Sequence, residues 1–317
     1  MKYNHVPVML EEAIEYLNPK EGEIFVDCTL GGGGYTREIS KLVGEKGKVI
    51  AIDADELAIK NAQLQITNNK LKNIILVHDN FKNLQRIIQE NGVEKNVSGI
   101  VFDLGLSSAQ LEDRSRGFSF KLDAPLNMQF SSNKEQVTNN TNNKTDEIIN
   151  KWKIEDLEKI IREYGEERYA GRITKAIVKN RPLDTTAKLA EIIKNAVPSN
   201  YRNGRIHSAT RTFQALRIAT NNELKILEDV LPQALNSLKQ GGRLVLISYH
   251  SLEDRIVKNF FKQEARECIC PPEAIECHCQ HKKQIKILTK KPIVPSESEI
   301  KNNPRARSAK LRAGEYI

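Results

Sequence analysis

Four consecutive glycines, Gly31 to Gly34 in TLGGGGYT, follow the apolar run EIFVDC and precede a stretch with helical spacing. Bare backbone at a strand-to-helix turn lets a ligand approach closely, and three ligand classes compete for it. A triphosphate loop ends in Gly-Lys-Ser/Thr, because the lysine and hydroxyl serve the phosphates and their magnesium; GGGGYT has no lysine. A dinucleotide turn follows G-x-G-x-x-G, and counting from Gly31 or Gly32 puts Thr36 or Arg37 at the third glycine position. The remaining clue is acidic. Apolar runs at 23–28, 48–53, 73–79 and 98–103 each end at or near a carboxylate: Asp27, Asp53, Asp79 and Asp103. Acids ringing the carboxyl ends of strands repel a polyphosphate and suit a ligand with ribose hydroxyls, an ammonium and a sulfonium, which describes S-adenosylmethionine. Asp53 is placed to accept from the two ribose hydroxyls, and Gly33 and Gly34 let the backbone approach the methionine part. Taken singly, each feature has a plainer reading, a tight turn for the glycines and a helix N-cap for an Asp.

A second cluster is CICPPEAIECHC, which brings Cys268, Cys270, Cys277 and Cys279 close in sequence, with His278 and His281 nearby. Four thiolates can close a tetrahedral zinc site, although C-x-C is tighter than the usual two-residue gap; free thiols or a stress-induced disulfide are the alternatives. The metal therefore stays open, and the cluster's distance from the glycine loop gives it the role of stiffening a loop. His250, ending the run GRLVLISYH, and His5 can each reach a site or simply be satisfied structural residues.

The elements that must position these residues alternate. Between the four apolar runs lie stretches with three-and-four spacing, such as Leu57, Ile59, Ala62 and Ile66, then Phe81, Leu84, Ile87 and Ile88. That βαβα order predicts an α/β fold with a doubly wound, mostly parallel sheet. The alternation stops after Asp103. The polar stretch 131–145 reads as a flexible loop, and the patterns after it are helical only. A long helix then runs to Gly241 and Gly242, 242–250 supplies a fifth strand, and 284–289 with 307–315 predict a terminal antiparallel pair. The domain expectation is a nucleotide-type domain from 1–111 and 216–317, interrupted by a mainly helical insertion at 112–215.

The chain has 317 residues, 39% hydrophobic and 28% charged, and a net charge of +8 that is unevenly spread. Residues 151–217 and 281–317 each carry +7, whereas 1–150 and 218–280 are net acidic. Such asymmetry suits a polyanion held beside a site built for something else, with solvated helix faces as the plainer explanation. No apolar run is long enough for a membrane span, and the first residues lack a cleavable leader pattern, so a cytoplasmic protein without a membrane partner is expected.

The strings HVPVMLEEA, VDCTLGGGGYT, AIDAD, DLGLSSAQLEDRSRGFSF, YGEERYAGRI, ATRTFQALRI, ISYHSLEDRIVK and NPRARSAKLR, in this order from Asn4 to about Arg312, resemble the bacterial methyltransferases that modify the exocyclic amine of a cytosine in small-subunit ribosomal RNA, the MraW or RsmH family. The resemblance implies a Rossmann-like methyltransferase fold, S-adenosyl-L-methionine as cofactor, and 16S rRNA or the small ribosomal subunit as partner. Carried over by matching motif, it implies cofactor contacts at Gly33, Gly34, Tyr35, Asp53, Phe81, Asp103 and Gln110. Tyr35 stands where a histidine is common in the family, and DAPLNMQFS at 123–131 replaces a stretch usually closer to D-G-P-L-D-M-R-M-D.

The 4-amino group of cytosine is a poor nucleophile because its lone pair is delocalised, so transfer depends on in-line positioning and on an acceptor for an amine proton. Asp103 is the expected catalytic acceptor, with a purely cofactor-binding role as its competitor, and Ser107 or Ser108 can add a contact to the base edge. The base must be unpaired or turned out of its stack. Arg202, Arg205, Arg211 and Arg217 in the insertion, with Arg305 and Arg307 in the tail, are candidates to grip the surrounding phosphates. Two other classes remain open on sequence: a non-catalytic RNA-binding factor that keeps the fold as a scaffold, and a methyltransferase for a protein or small molecule.

Overall fold

The structure, a computed structural model, describes residues 7–69, 71–130, 144–202, 204, 206–271, 273–274 and 276–317. His5, Arg205 and most of the polar 131–145 stretch lie outside them. The chain forms two compact units, Met1–Gly105 with Leu224–Ile317, and Leu106–Glu223. The boundaries fall a few residues either side of the expected 112–215 because Leu106, Leu111 and Leu216 share the hydrophobic core of the second unit.

In the first unit seven strands form one sheet: β1 (Ile24–Asp27), β2 (Lys48–Asp53), β3 (Ile74–His78), β4 (Val97–Asp103), β5 (Leu238–Ser248), β6 (Ile285–Ile287) and β7 (Lys310–Tyr316). Their order is β3-β2-β1-β4-β5-β7-β6. The first five are parallel neighbours, and β7 runs antiparallel between β5 and β6. The chain winds outward from β1 through β2 to β3, then returns to place β4 on the other side of β1. That reversal is the switch point at which a doubly wound sheet opens a crevice.

The strands read as near-continuous apolar runs because both sheet faces are covered. Phe25, Val49, Val101, Val245 and Ile247 point to the side of helices Leu10–Leu17 and Gly34–Val43. Their alternates Val26, Ile50, Ile52, Ile100, Phe102, Leu244 and Leu246 pack with helices Leu84–Glu90, Glu223–Ser237 and Ser251–Glu264. Gly99 in β4 is required by this packing: a Cβ there would lie 2.5 Å from the Phe25 ring.

Two expectations shift. The long helix ends at Ser237, not at the glycines, because Leu238 already pairs with Val97 as the first residue of β5. Leu57, expected on the buried face of helix Glu56–Asn69, is 52% exposed and Ala58 is buried in its place, while Ala62 is buried as expected.

Among the described residues the second unit is built of helices, including Lys144–Lys151, Ile154–Glu163, Ala170–Lys179, Thr186–Ala196 and Thr210–Asn221. Ile149, Leu157, Ile161, Ile173, Ile177, Leu189, Ile193 and Leu216 form its core. Thr145, expected in the loop, is instead fully buried in the first turn of its helix, against the Thr220 hydroxyl at 2.8 Å. Residues 123–130 of the divergent stretch serve the same core, with Leu126 and Met128 buried and Phe130 stacked on Phe118 at 5.6 Å.

Candidate active site at the switch point

The turn after β1 is strung between its two neighbours: Cys28 N donates to Val101 O at 3.0 Å and Leu30 N to Ile52 O at 2.9 Å. It then coils through Gly31 (φ 46°) and Gly33 (φ 72°), left-handed values that favour glycine, into helix Gly34–Val43. At Gly34 a Cβ would lie 2.6 Å from the Pro7 ring, so only a glycine allows the N-terminal segment to cross there. Tyr35 turns its ring into the core and donates its hydroxyl to Val8 O, so only its backbone belongs to the loop.

The four strand-end acids have separate fates, which corrects the expectation that all four ring the pocket. Asp27 is fully buried and spent internally, accepting from Thr36 Oγ1 at 2.6 Å and Thr29 N at 3.1 Å. Asp79 accepts from Asn80 N and Asn83 Nδ2 and pairs with Arg86. Asp53 and Asp103 carry no ion-pair partner among the described residues. Asp53 Oδ2 accepts from Gly31 N and Oδ1 from Asp55 N, each at 2.8 Å, which fixes the carboxylate against the glycine loop with lone pairs to spare. Burial pushes its carboxyl up to about 6, although those two N–H groups pull the other way.

Asp103 ends β4 directly across the switch point. Its N–H donates to Thr29 Oγ1 at 2.7 Å, and its Oδ1 accepts from the Tyr249 hydroxyl at 2.6 Å. Burial raises this carboxyl to about 7, the Tyr249 bond opposes the rise, and the Asp27 and Glu253 charges add to it. Burial beside Asp103 drives the Tyr249 phenol well above its ordinary value, so Tyr249 stays a donor. Tyr249 was missed by sequence reasoning. The available signal was Gly105, two residues beyond Asp103: a Cβ there would meet the Tyr249 ring at 2.7 Å, so the glycine makes room for the tyrosine that holds Asp103.

His250, one residue on, is the N-cap of helix Ser251–Glu264 in a reciprocal capping box with Glu253, and that is its structural task. Phe81 lies half-buried in the turn after β3, edge-on to Phe102 with ring centroids 5.6 Å apart. Gln110 belongs to the second unit, where its Oε1 accepts from Ser107 N while Ser107 Oγ caps the same short helix. Also in that unit, Arg217 closes its fork on Glu223 at 2.7 and 2.8 Å, and Arg202 and Arg211 donate to backbone carbonyls. Each of the three is tied within its own unit, Arg217 by an ion pair and the other two by carbonyls.

Two half-buried carboxylates without ion-pair partners among the described residues, one fixed on a glycine loop, suit a ligand that brings hydroxyl donors and positive charge, and they oppose a phosphate. The fold and the donor set together are those of an α/β, Rossmann-like methyltransferase that uses S-adenosylmethionine.

The description of the MraW methylase family matches residues 2–317. A protein of Halothermothrix orenii named ribosomal RNA small subunit methyltransferase H is 46% identical over 316 residues, covering 99% of this chain and 98% of its own length. Proteins of the same name from Clostridium botulinum strain 657 (48% identical, 98% of each chain) and Finegoldia magna (45%, 100% of each) are similar throughout. This chain belongs to the MraW methylase family.

Proposed function

We propose that this enzyme transfers the methyl group of S-adenosylmethionine to the N4 amine of a specific cytidine in 16S rRNA, within the small ribosomal subunit or its precursor RNA. The observation that carries the reading is Asp103, a carboxylate at the switch point, anchored by Tyr249 and poised near neutrality. Its full-length relatives named for the small subunit RNA supply the substrate class.

Asp53 would hold the ribose hydroxyls, the backbone of Gly33, Gly34 and Tyr35 the methionine part, and Phe81 the adenine. When bound, the cofactor supplies an electrophilic methyl on sulfur. Asp103 orients the target amine by accepting one of its hydrogens and takes that proton as nitrogen becomes cationic. Tyr249 keeps the carboxylate aimed and tunes its affinity for the proton. A ribosomal substrate makes the cytoplasm the place of action.

Mass-spectrometric mapping of methylated cytidines in ribosomal RNA, from cells with and without the gene, tests this reading. Loss of one N4-methyl mark in 16S rRNA is expected. An unchanged map, with the purified protein still binding S-adenosylmethionine, would redirect the search to a protein or small-molecule acceptor.

A further inference from the structure

The cysteine cluster lies in the segment between helix Ser251–Glu264 and β6, remote in sequence from the switch-point residues. The base of this loop is clamped: Gln284 N donates to Glu264 O at 2.8 Å and Gln284 Nε2 to Glu264 Oε2 at 3.2 Å. Beyond the clamp the described residues of the loop form no core. No described residue from Ala265 to Lys283 is buried, and Ile269 is left 39% exposed. Without apolar burial the described residues have little of their own to offset the entropy of ordering them.

What converges there is sulfur. Cys268, Cys270, Cys277 and Cys279 bring their Sγ atoms to within 4.8 Å of one another. Cys268 lies 3.4 Å from Cys277 and 3.6 Å from Cys279, and Cys277 lies 3.6 Å from Cys279. A disulfide would bring one pair to about 2.0 Å. A near-equilateral triangle of sulfurs is instead one face of a tetrahedron, in which a Zn–S distance of about 2.3 Å sets S···S near 3.8 Å. Backbone N–H groups aim at the sulfurs as they would at thiolates: Ile269 N at Cys279 and Cys270 N at Cys268, with His278 N at Cys270, each at 3.4 Å. The two C-x-C pairs achieve this despite their short spacing because they face each other across the loop, each supplying two ligands.

We propose that Cys268, Cys270, Cys277 and Cys279 form a structural zinc site that pins the 265–283 loop. The ion is divalent and soft enough for four thiolates. Binding releases the four thiol protons to solvent, forms four Zn–S bonds and involves no change of oxidation state. With all four positions taken by protein, the site has no place for a reacting water and is built for stiffness.

The full-length protein, purified in the presence of a thiol reductant and dialysed against zinc chloride, should hold about one zinc per chain by atomic emission. Replacing zinc by cobalt should give the sulfur-to-metal charge-transfer band and intense visible bands of tetrahedral thiolate coordination. Chelation should speed tryptic cleavage after Arg266, Lys282 and Lys283 by about tenfold or more, as the loop loses its order. Cys277→Ser should weaken zinc retention against a competing chelator by more than about 100-fold, since removing a ligand costs more than removing a neighbour of one. S-adenosylmethionine affinity, measured on the same variant, reports that the fold is intact. Less than a tenth of a zinc per chain after reconstitution, an intact mass showing disulfides under reductant, or zinc retained when all four cysteines are serine would each overturn the assignment.

Discussion

Asp53 and Asp103 are carboxylates held in place by hydrogen bonds from the surrounding protein. Asp53→Ala should weaken S-adenosylmethionine binding by about 1.5–3 kcal/mol, the range for a hydrogen bond to a charged group, and titration calorimetry against an unchanged far-UV spectrum measures it. An unaltered affinity would remove Asp53 from the site. For Asp103 the test is the pH profile. Its carboxyl sits near 7, so single-turnover methylation should rise with pH along a limb centred there, and Asp103→Asn should lose most of the rate together with that limb. Tyr249 donates to the ionised form and thereby lowers the carboxyl's proton affinity, so Tyr249→Phe should move the limb to higher pH. A merely structural tyrosine would reduce the rate without moving the limb.

At the scale of elements, the site depends on glycines that let strands and turns approach. β4 passes so close to the Phe25 ring that Gly99→Ala would place a methyl 2.5 Å from it and 3.2 Å from Leu17. Both neighbours are buried and cannot retreat, so overpacking should cost about 1–3 kcal/mol. Thermal unfolding with and without cofactor reads this as a lower midpoint in both states; a midpoint within error of wild type would mean that the strand relaxes. Helix Ser251–Glu264 shows a division of labour along one turn, with Tyr249 serving the site and His250 serving the cap.

For the molecule as a whole, the proposed RNA substrate is tested through charge. Helix Ala170–Lys179 exposes Arg172, Lys175 and Lys179, while the tail exposes Lys282, Lys283, Lys290, Lys291 and Arg307. Changing Arg172, Lys175 and Lys179 to glutamine should weaken RNA binding and flatten its salt dependence, by roughly 0.7–0.9 in the log–log slope for each phosphate no longer neutralised. Cofactor affinity should hardly move, and a variant with wild-type RNA affinity and slope would place the polyanion elsewhere. The acids also set the stability of the ligand-free protein. Asp53 and Asp103 both have raised folded-state values, so between pH 4 and 7 the folded state binds more protons than the unfolded one, and stability falls as pH rises through that window. Asp53→Asn with Asp103→Asn should therefore raise the midpoint of the ligand-free protein by a few degrees at pH 7 and by much less at pH 4. An equal gain at both would exclude the linkage.

The strands, their order of appearance, the glycine turn and the acids at 53 and 103 were legible in the sequence. Buried parallel strands must be apolar throughout, and a positive-φ turn must be glycine, so local composition records both. The strand pattern did not show which of the four strand-end aspartates would be satisfied inside the protein. Only tertiary structure decided that Thr36 consumes Asp27 and Arg86 pairs with Asp79, since these partners come from adjoining helical turns whose rotation about the sheet no periodicity encodes. Nor could it assign Tyr249 to Asp103, a pairing 146 residues apart made when β4 and β5 become neighbours. Likewise the basic count was legible, but which arginines face water was not: Arg217 found Glu223. Hydrophobic pattern fixes what must be inside, whereas hydrogen-bond partners depend on ångström-scale placement that exists only once the core has closed.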